Sequence, residues 1–329
     1  MLEHGGRLRA AAQAFGRDEG EWVDVSTGIA PWAWPVPAIP AQAWARLPEP
    51  DDGLEAAACQ YYGARQVLPV AGSQAAIQVL PRLRRIGKVG VLAPCYAEHA
   101  EAWRKGGHVV REIADSEADD YLDRLDVLVV VNPNNPTGRL LERSCLLAWH
   151  ARLAARGGWL VVDEAFMDMT PQHSLAADAH LPGLVVLRSF GKFFGLAGVR
   201  LGFALAEPRL LAGLLDHLGP WAVSGPTRAL GHACLLDEAG HRQQIARCTE
   251  AADRLAALLA EHGLAPEGGC ALFQWVLVER AEALYLHLAR QGILVRLFLH
   301  NRSLRFGLPS SEAHWQRLGE GLASFSKEA

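Results

Sequence analysis

The feature that most constrains this chain is a series of short apolar runs, each ending in a polar group. Val89–Ala93 (VGVLA), Val127–Val131 (VLVVV), Trp159–Val162 (WLVV) and Leu184–Leu187 (LVVL) are rich in β-branched residues and nearly continuous in hydrophobicity. Strands covered on both faces read this way. Helical patterns lie between them: Ser73–Arg85, and Glu142–Arg156, which is stopped by Gly157-Gly158 in the manner of a C-cap. Alternating strand and helix predicts an α/β domain over residues 41–220, with a mostly parallel central sheet flanked by helices. After Trp221 the pattern changes. Pro226–Glu238, His241–His262, Ala281–Gln291 and Ser311–Phe325 read as helices, while Ala271–Val278, Ile293–Phe298 and Ser303–Leu308 read as strands. A smaller α+β domain is expected over 221–329. Residues 1–40, with turn-rich Ala30–Pro40 (APWAWPVPAIP), are expected to form an arm packed on that smaller domain.

Composition narrows the function classes. Of 329 residues, 50% are hydrophobic and 21% charged, enough to bury a sizeable core. A formal charge of −4 and a pI near 6.4 give no general attraction to nucleic acid or to a membrane surface, so any anion must be held by local groups. No run of about 18 uncharged apolar residues is present, which argues against a membrane span. The start Met-Leu-Glu-His-Gly-Gly lacks the pattern of a signal peptide, and a cytoplasmic protein is expected. Cys59, Cys95, Cys145, Cys234, Cys248 and Cys270 form no C-x-x-C pair, so reduced thiols and no metal site are expected. His99, His108, His173 and His180 read as surface or satisfied core groups rather than ligands.

In an open parallel sheet, ligands bind beyond the carboxyl ends of the strands. Three of the runs end there in Asn132-Pro133-Asn134-Asn135-Pro136-Thr137-Gly138, in Asp163-Glu164-Ala165-Phe166, and in Arg188-Ser189-Phe190-Gly191-Lys192. A carboxamide loop, a carboxylate and a lysine therefore converge on one rim. Lys192, alone, would read as an exposed lysine in a glycine-rich turn. Phe193, Phe194 and Leu196 surround it, and desolvation of an ammonium leaves a more nucleophilic amine. Asp163 reads either as a polar strand end or as the carboxylate that keeps a pyridine nitrogen protonated. Gly72-Ser73-Gln74 follows the short run Val67–Val70 and opens a helix, which suits an ordinary serine cap or an anion seat. Arg200 could add positive charge to the same anion. Neither a P-loop nor a G-x-G-x-x-G fingerprint occurs at the expected position.

NPNNPTG, DEAF and SFGKFFGLAGVRLGF, at these separations, resemble the pyridoxal-phosphate enzymes of the aspartate aminotransferase fold, fold type I, over nearly the whole chain. The resemblance implies pyridoxal 5'-phosphate as cofactor, carried by Lys192, which also moves the proton at Cα. It implies that Asp163 pairs with the ring nitrogen, that Asn135 bonds the ring hydroxyl and that Tyr96 stacks on the ring. It further implies that Gly72, Ser73, Gln74, Ser189 and Arg200 hold the cofactor phosphate, and that the protein is a homodimer.

Two subgroups fit best: aminotransferases acting on histidinol phosphate, and decarboxylases acting on L-threonine O-3-phosphate in cobalamin biosynthesis. The arm, His4-Gly5-Gly6 followed by Asp24–Pro31 (DVSTGIAP), is similar to that of the decarboxylases, as is Asp163–Ala176 (DEAFMDMTPQHSLA). Phe166 stands where the aminotransferases usually carry Tyr. The chain also departs from the pattern at Leu47-Pro48, where many relatives have a Tyr, and at Gly28 and Ala30, which replace two asparagines. The resemblance implies a small phosphorylated amino acid as substrate, bound by His4, Gly28, Ile29, Asn135, Arg296 and Arg305. Guanidinium forks suit both carboxylate and phosphate. Which bond breaks depends on how those anchors orient the substrate, which the sequence does not show; the resemblance of the arm and of Asp163–Ala176 favours decarboxylation, with a histidinol-phosphate-type aminotransferase using 2-oxoglutarate and glutamate as the alternative.

Overall fold

The computed structural model describes residues 4–328. The chain falls into two compact units. The larger comprises Trp34–Asn135 and Leu140–His241; the smaller takes the residues through Ala33, Pro136–Arg139 and those from Arg242 onward. The larger unit therefore includes residues 34–40 and 221–241, which the sequence pattern assigned to the arm and to the smaller domain. Packing explains this. The Trp34 ring lies 4.9 Å from that of Phe194, and its amide donates to the Phe194 carbonyl at 2.9 Å. Arg228, on helix Gly225–Leu235, donates to Asp52 at 2.6 Å and to Glu55 at 2.7 Å.

The larger unit is built on a seven-stranded sheet in the order Leu68–Val70, Gly202–Leu205, Leu184–Ser189, Trp159–Asp163, Val127–Val131, Lys88–Leu92, Val109–Ile113. Gly202–Leu205 runs antiparallel to both of its neighbours, and the remaining pairs are parallel. Every residue of Val127–Val131 is buried, as its unbroken apolar run requires. One sheet face (Val89, Val91, Val127, Val129, Val161, Val185, Leu187) packs with Ala76, Ile77 and Trp103 from the covering helices. The expected helix from Ser73 ends at Val79 and continues as a 3₁₀ turn, Leu80–Leu83. Pro81 explains the change, since it has no N–H for the helical ladder. The edge strand Val109–Ile113 (VVREI) gave no continuous apolar run, because four of its five residues are not buried.

The smaller unit holds an antiparallel sheet in the order Arg296–Phe298, Ser303–Gly307, Phe273–Leu277, Gly268–Cys270. Val23–Asp24 of the arm pairs in parallel with Ile293–Leu294. The segment Pro136–Arg139 lies against Gly268–Cys270 so closely that a Cβ on Gly138 would come 2.1 Å from the Gly269 carbonyl oxygen. Gly138 also has φ +72°, so a glycine is needed there on both counts. Among the described residues, no helix is long and apolar enough to cross a membrane, and no group of His, Cys, Asp and Glu could hold a metal ion.

Candidate active site

Register brings the polar strand ends of the larger unit together. Val131 pairs with Asp163, and Asp163 with Leu187, so three parallel strands end level at one rim. The Asp163 carboxylate is only 3% exposed. Its Oδ1 accepts the Ala165 amide at 3.1 Å, and its Oδ2 lies 2.8 Å from His99 Nε2. A buried carboxylate needs such partners. His99 is thus a satisfied core group, but one bonded to the acidic candidate. No local pattern marks it: His99 lies in the first turn of helix Glu98–Lys105, and its partner is 64 residues away in sequence.

Two more candidate groups come together at the start of helix Ser73–Val79. Gly72 has φ +73°, and a Cβ there would sit 2.7 Å from Arg200 Nη2. Arg200 has φ +56° and an exposed side chain, and its Nη1 donates to the Ala197 carbonyl at 3.3 Å. A Cβ on Gly202 would meet the Ser73 amide nitrogen at 2.5 Å, so Gly202 permits that approach. Register places Ser189 opposite Gly202, which brings Ser189 to the same corner.

The Gln74 side chain turns to Tyr96, which leaves its backbone amide at the helix start. Tyr96 donates its hydroxyl to Gln74 Oε1 at 3.2 Å, and Gln74 Nε2 donates to Glu98 at 2.9 Å. Burial, aided by the charges of Glu98 and Asp163, pushes the Tyr96 hydroxyl up to about 12, so it stays a donor near neutral pH. In the carboxamide loop, Asn132 accepts the Leu141 amide at 2.7 Å and Asn134 donates to the Pro94 carbonyl at 2.9 Å. Both are buried and hold the loop; Asn135 is half-buried. Lys192 lies in the short helix Phe190–Phe193, directly after its strand, with Nζ 5.7 Å from the centre of the Phe166 ring.

The smaller unit carries the expected substrate anchors. Arg296 and Arg305 are register partners on adjacent strands, so two like charges face each other. Arg305 is buried and donates to the Ser26 carbonyl at 2.8 Å. Burial, reinforced by the neighbouring charge of Arg296, brings its guanidinium down to about 10. Ser26 Oγ accepts the Gly6 amide at 2.8 Å, which fixes the His4-Gly5-Gly6 start of the arm. A cavity of about 330 Å³ is lined by His4, Ser26 and Arg296, together with Arg7 and Tyr285. Gly28 is buried and Ile29 half-buried.

The family model described as aminotransferase class I and II matches residues 38–318. The chain belongs to the class I and II aminotransferase family. Within this family, it is 63% identical over 329 residues to the threonine-phosphate decarboxylase of Pseudomonas aeruginosa, covering 100% of this chain and 99% of that one. It is 43% identical to the threonine-phosphate decarboxylase of a Sinorhizobium species, covering 98% of both chains. Its fold matches the histidinol-phosphate aminotransferase of Sinorhizobium meliloti, solved with pyridoxal-5'-phosphate, at a TM-score of 0.83 and 20% identity, over 99% of this chain and 96% of that one.

Proposed function

We propose that the protein is a pyridoxal-phosphate-dependent carboxy-lyase that converts L-threonine O-3-phosphate into (R)-1-amino-2-propanol O-2-phosphate and CO₂, a step of cobalamin biosynthesis. The 63% identity to a threonine-phosphate decarboxylase carries this reading, because it spans the whole chain, including the arm and the strands of Arg296 and Arg305. The residues fit the cofactor: a buried carboxylate with a histidine behind it, a glycine corner under a guanidinium, and a lysine at the same rim.

Bound pyridoxal phosphate supplies an electron sink for the bond that breaks at Cα. The chain's residues do the rest. Lys192 carries the cofactor and returns a proton to Cα once CO₂ has left. Asp163, held by His99, keeps a proton on the ring nitrogen. Tyr96 stacks on the ring and Asn135 donates to its hydroxyl. Gly72, Ser73, Gln74, Ser189 and Arg200 bind the cofactor phosphate through amides, hydroxyls and a guanidinium. Arg296 and Arg305, with His4, Gly28, Ile29 and Asn135, would bind the carboxylate and phosphate of the substrate and so select the bond that breaks.

The same reading makes the protein a cytoplasmic homodimer. Trp44 (69% exposed) and Leu47 (62%) support the dimer. They lie in and just after helix Ala41–Ala45, which packs on helix Gly225–Leu235. Large apolar side chains left this open on one short segment are what an association surface would cover. The test of function is to supply phosphothreonine to the holoenzyme without a keto acid. One CO₂ per aminopropanol phosphate is expected. No CO₂, together with consumption of 2-oxoglutarate on phosphothreonine or histidinol phosphate, would overturn the reading in favour of a transaminase.

A further inference from the structure

Behind the strand ends of Asp163 and Ser189 lies a buried charged cluster that the roles above leave unused. Asp163 pairs in register with Leu187, so Asp163, Leu187 and Ser189 face one side of the sheet. Arg188 faces the other, and its side chain is 2% exposed. Its Nη1 donates to Glu164 at 2.8 Å and its Nη2 to Asp168 at 3.0 Å, while its Cζ lies 4.5 Å over the Tyr62 ring. Glu164 also accepts the Leu175 amide at 2.7 Å and the Ser174 hydroxyl. One guanidinium thus bridges two carboxylates on the DEAFMD segment that begins at Asp163. Its backbone is as close to the site: a Cβ on Gly202 would meet the Arg188 carbonyl oxygen at 2.9 Å and the Ser73 amide at 2.5 Å.

Stability alone does not explain this cluster. A buried ion pair is on average no more stabilising than apolar residues of the same volume. What a planar fork adds is direction, because it fixes two acceptors at set angles to each other. Glu164 follows Asp163 directly and Arg188 precedes Ser189 directly. The Glu164 amide also donates to the Leu187 carbonyl at 2.8 Å, tying the two strand ends through the backbone as well.

We propose that Arg188 is a positioning residue which, by clamping Glu164 and Asp168 from the opposite face of the sheet, sets the spacing of Asp163 against Ser189 and Lys192. This rests on the reading that Lys192 carries pyridoxal phosphate. The substitution that tests it is Arg188→Lys, which keeps the charge but cannot bridge both carboxylates. Melting temperature, affinity of the apoprotein for pyridoxal phosphate, visible circular dichroism of the bound cofactor, and kcat against KM are measured together. The clamp predicts cofactor affinity about tenfold weaker, a visible dichroic band at least halved, and kcat down by about tenfold or more with KM within about threefold. A lower melting temperature with unchanged dichroism, affinity and kcat would reduce Arg188 to a structural ion pair and overturn the proposal. If Arg188→Lys does not fold, Asp168→Asn decides. It removes one charge of the bridge in the same shape, and a dichroic band and kcat equal to those of the parent contradict the clamp, while losses of about threefold support it. Dichroism is read without substrate, so this outcome is separate from whether CO₂ is released or a keto acid consumed.

Discussion

His99 Nε2 lies 2.8 Å from Asp163 Oδ2, with the two side chains 1% and 4% exposed. The pair is screened from water and joins a helix to a strand end. A hydrogen bond to a charged group contributes about 1.5–3 kcal/mol, more than a neutral one. If Asp163 serves the ring nitrogen as proposed, His99→Leu should lower kcat by about 10- to 100-fold while KM moves little, because the bond then acts on the cofactor and not on the substrate. Steady-state kinetics on the variant check this. A rise in KM alone would place His99 in substrate binding instead.

Arg305 gives a pH prediction. Burial and the charge of Arg296 bring it to about 10, below the ordinary arginine value of 12.5. It is charged at neutral pH and loses its proton as pH rises through about 10, so KM for a phosphorylated substrate should hold steady up to pH 9 and climb above 10. The stability sign is opposite. Holding the buried cation costs stability below the folded value, and that cost is relieved between about 10 and 12.5, where the unfolded chain still binds the proton. Arg305→Gln should abolish the alkaline climb in KM. Persistence of that climb in the variant would assign it to another group.

How far the sequence reached follows from which signals were local. Val127–Val131 and Leu184–Leu187 were legible because strands buried on both faces must be apolar throughout, and a parallel sheet then puts their polar ends on one rim. The run Ile293–Phe298 divides into Ile293–Leu294 and Arg296–Phe298, which belong to different sheets, and no local pattern signals that partition. Residues 1–40 read as one arm, but Trp34 joins the larger unit through Phe194, a contact 160 residues away in sequence. His99 and Arg188 escaped as site groups for the same reason. Each bonds a partner remote in sequence, Asp163 or Glu164, and although Arg188 opens the segment that carries Lys192, nothing local shows that its side chain turns to the other face.

Arg228 supports a prediction on acid stability. Burial alone would raise Asp52, but the hydrogen bond and charge of Arg228, with the Leu54 amide, hold it below its usual value of 3.8. The stability this brings is complete above the unfolded value and is lost as pH falls through the lower folded one. Arg228→Met should lower stability by about 1–3 kcal/mol at pH 7, with the loss shrinking as pH falls below 3.8 and Asp52 takes up its proton. Urea unfolding of both proteins at pH 7 and pH 3 reads this directly, and an equal difference at both values would rule out the ion pair as the cause.

The central claim is that Lys192 carries the cofactor at a rim shared with Asp163. The most direct measurement is borohydride reduction of the holoprotein followed by peptide mapping. The account predicts one stable pyridoxyl adduct, on the peptide containing Lys192, and none in Lys192→Ala, whose visible absorbance should also vanish. An adduct on Lys88 or Lys105, or an unlabelled protein that still releases CO₂ from phosphothreonine, would contradict it.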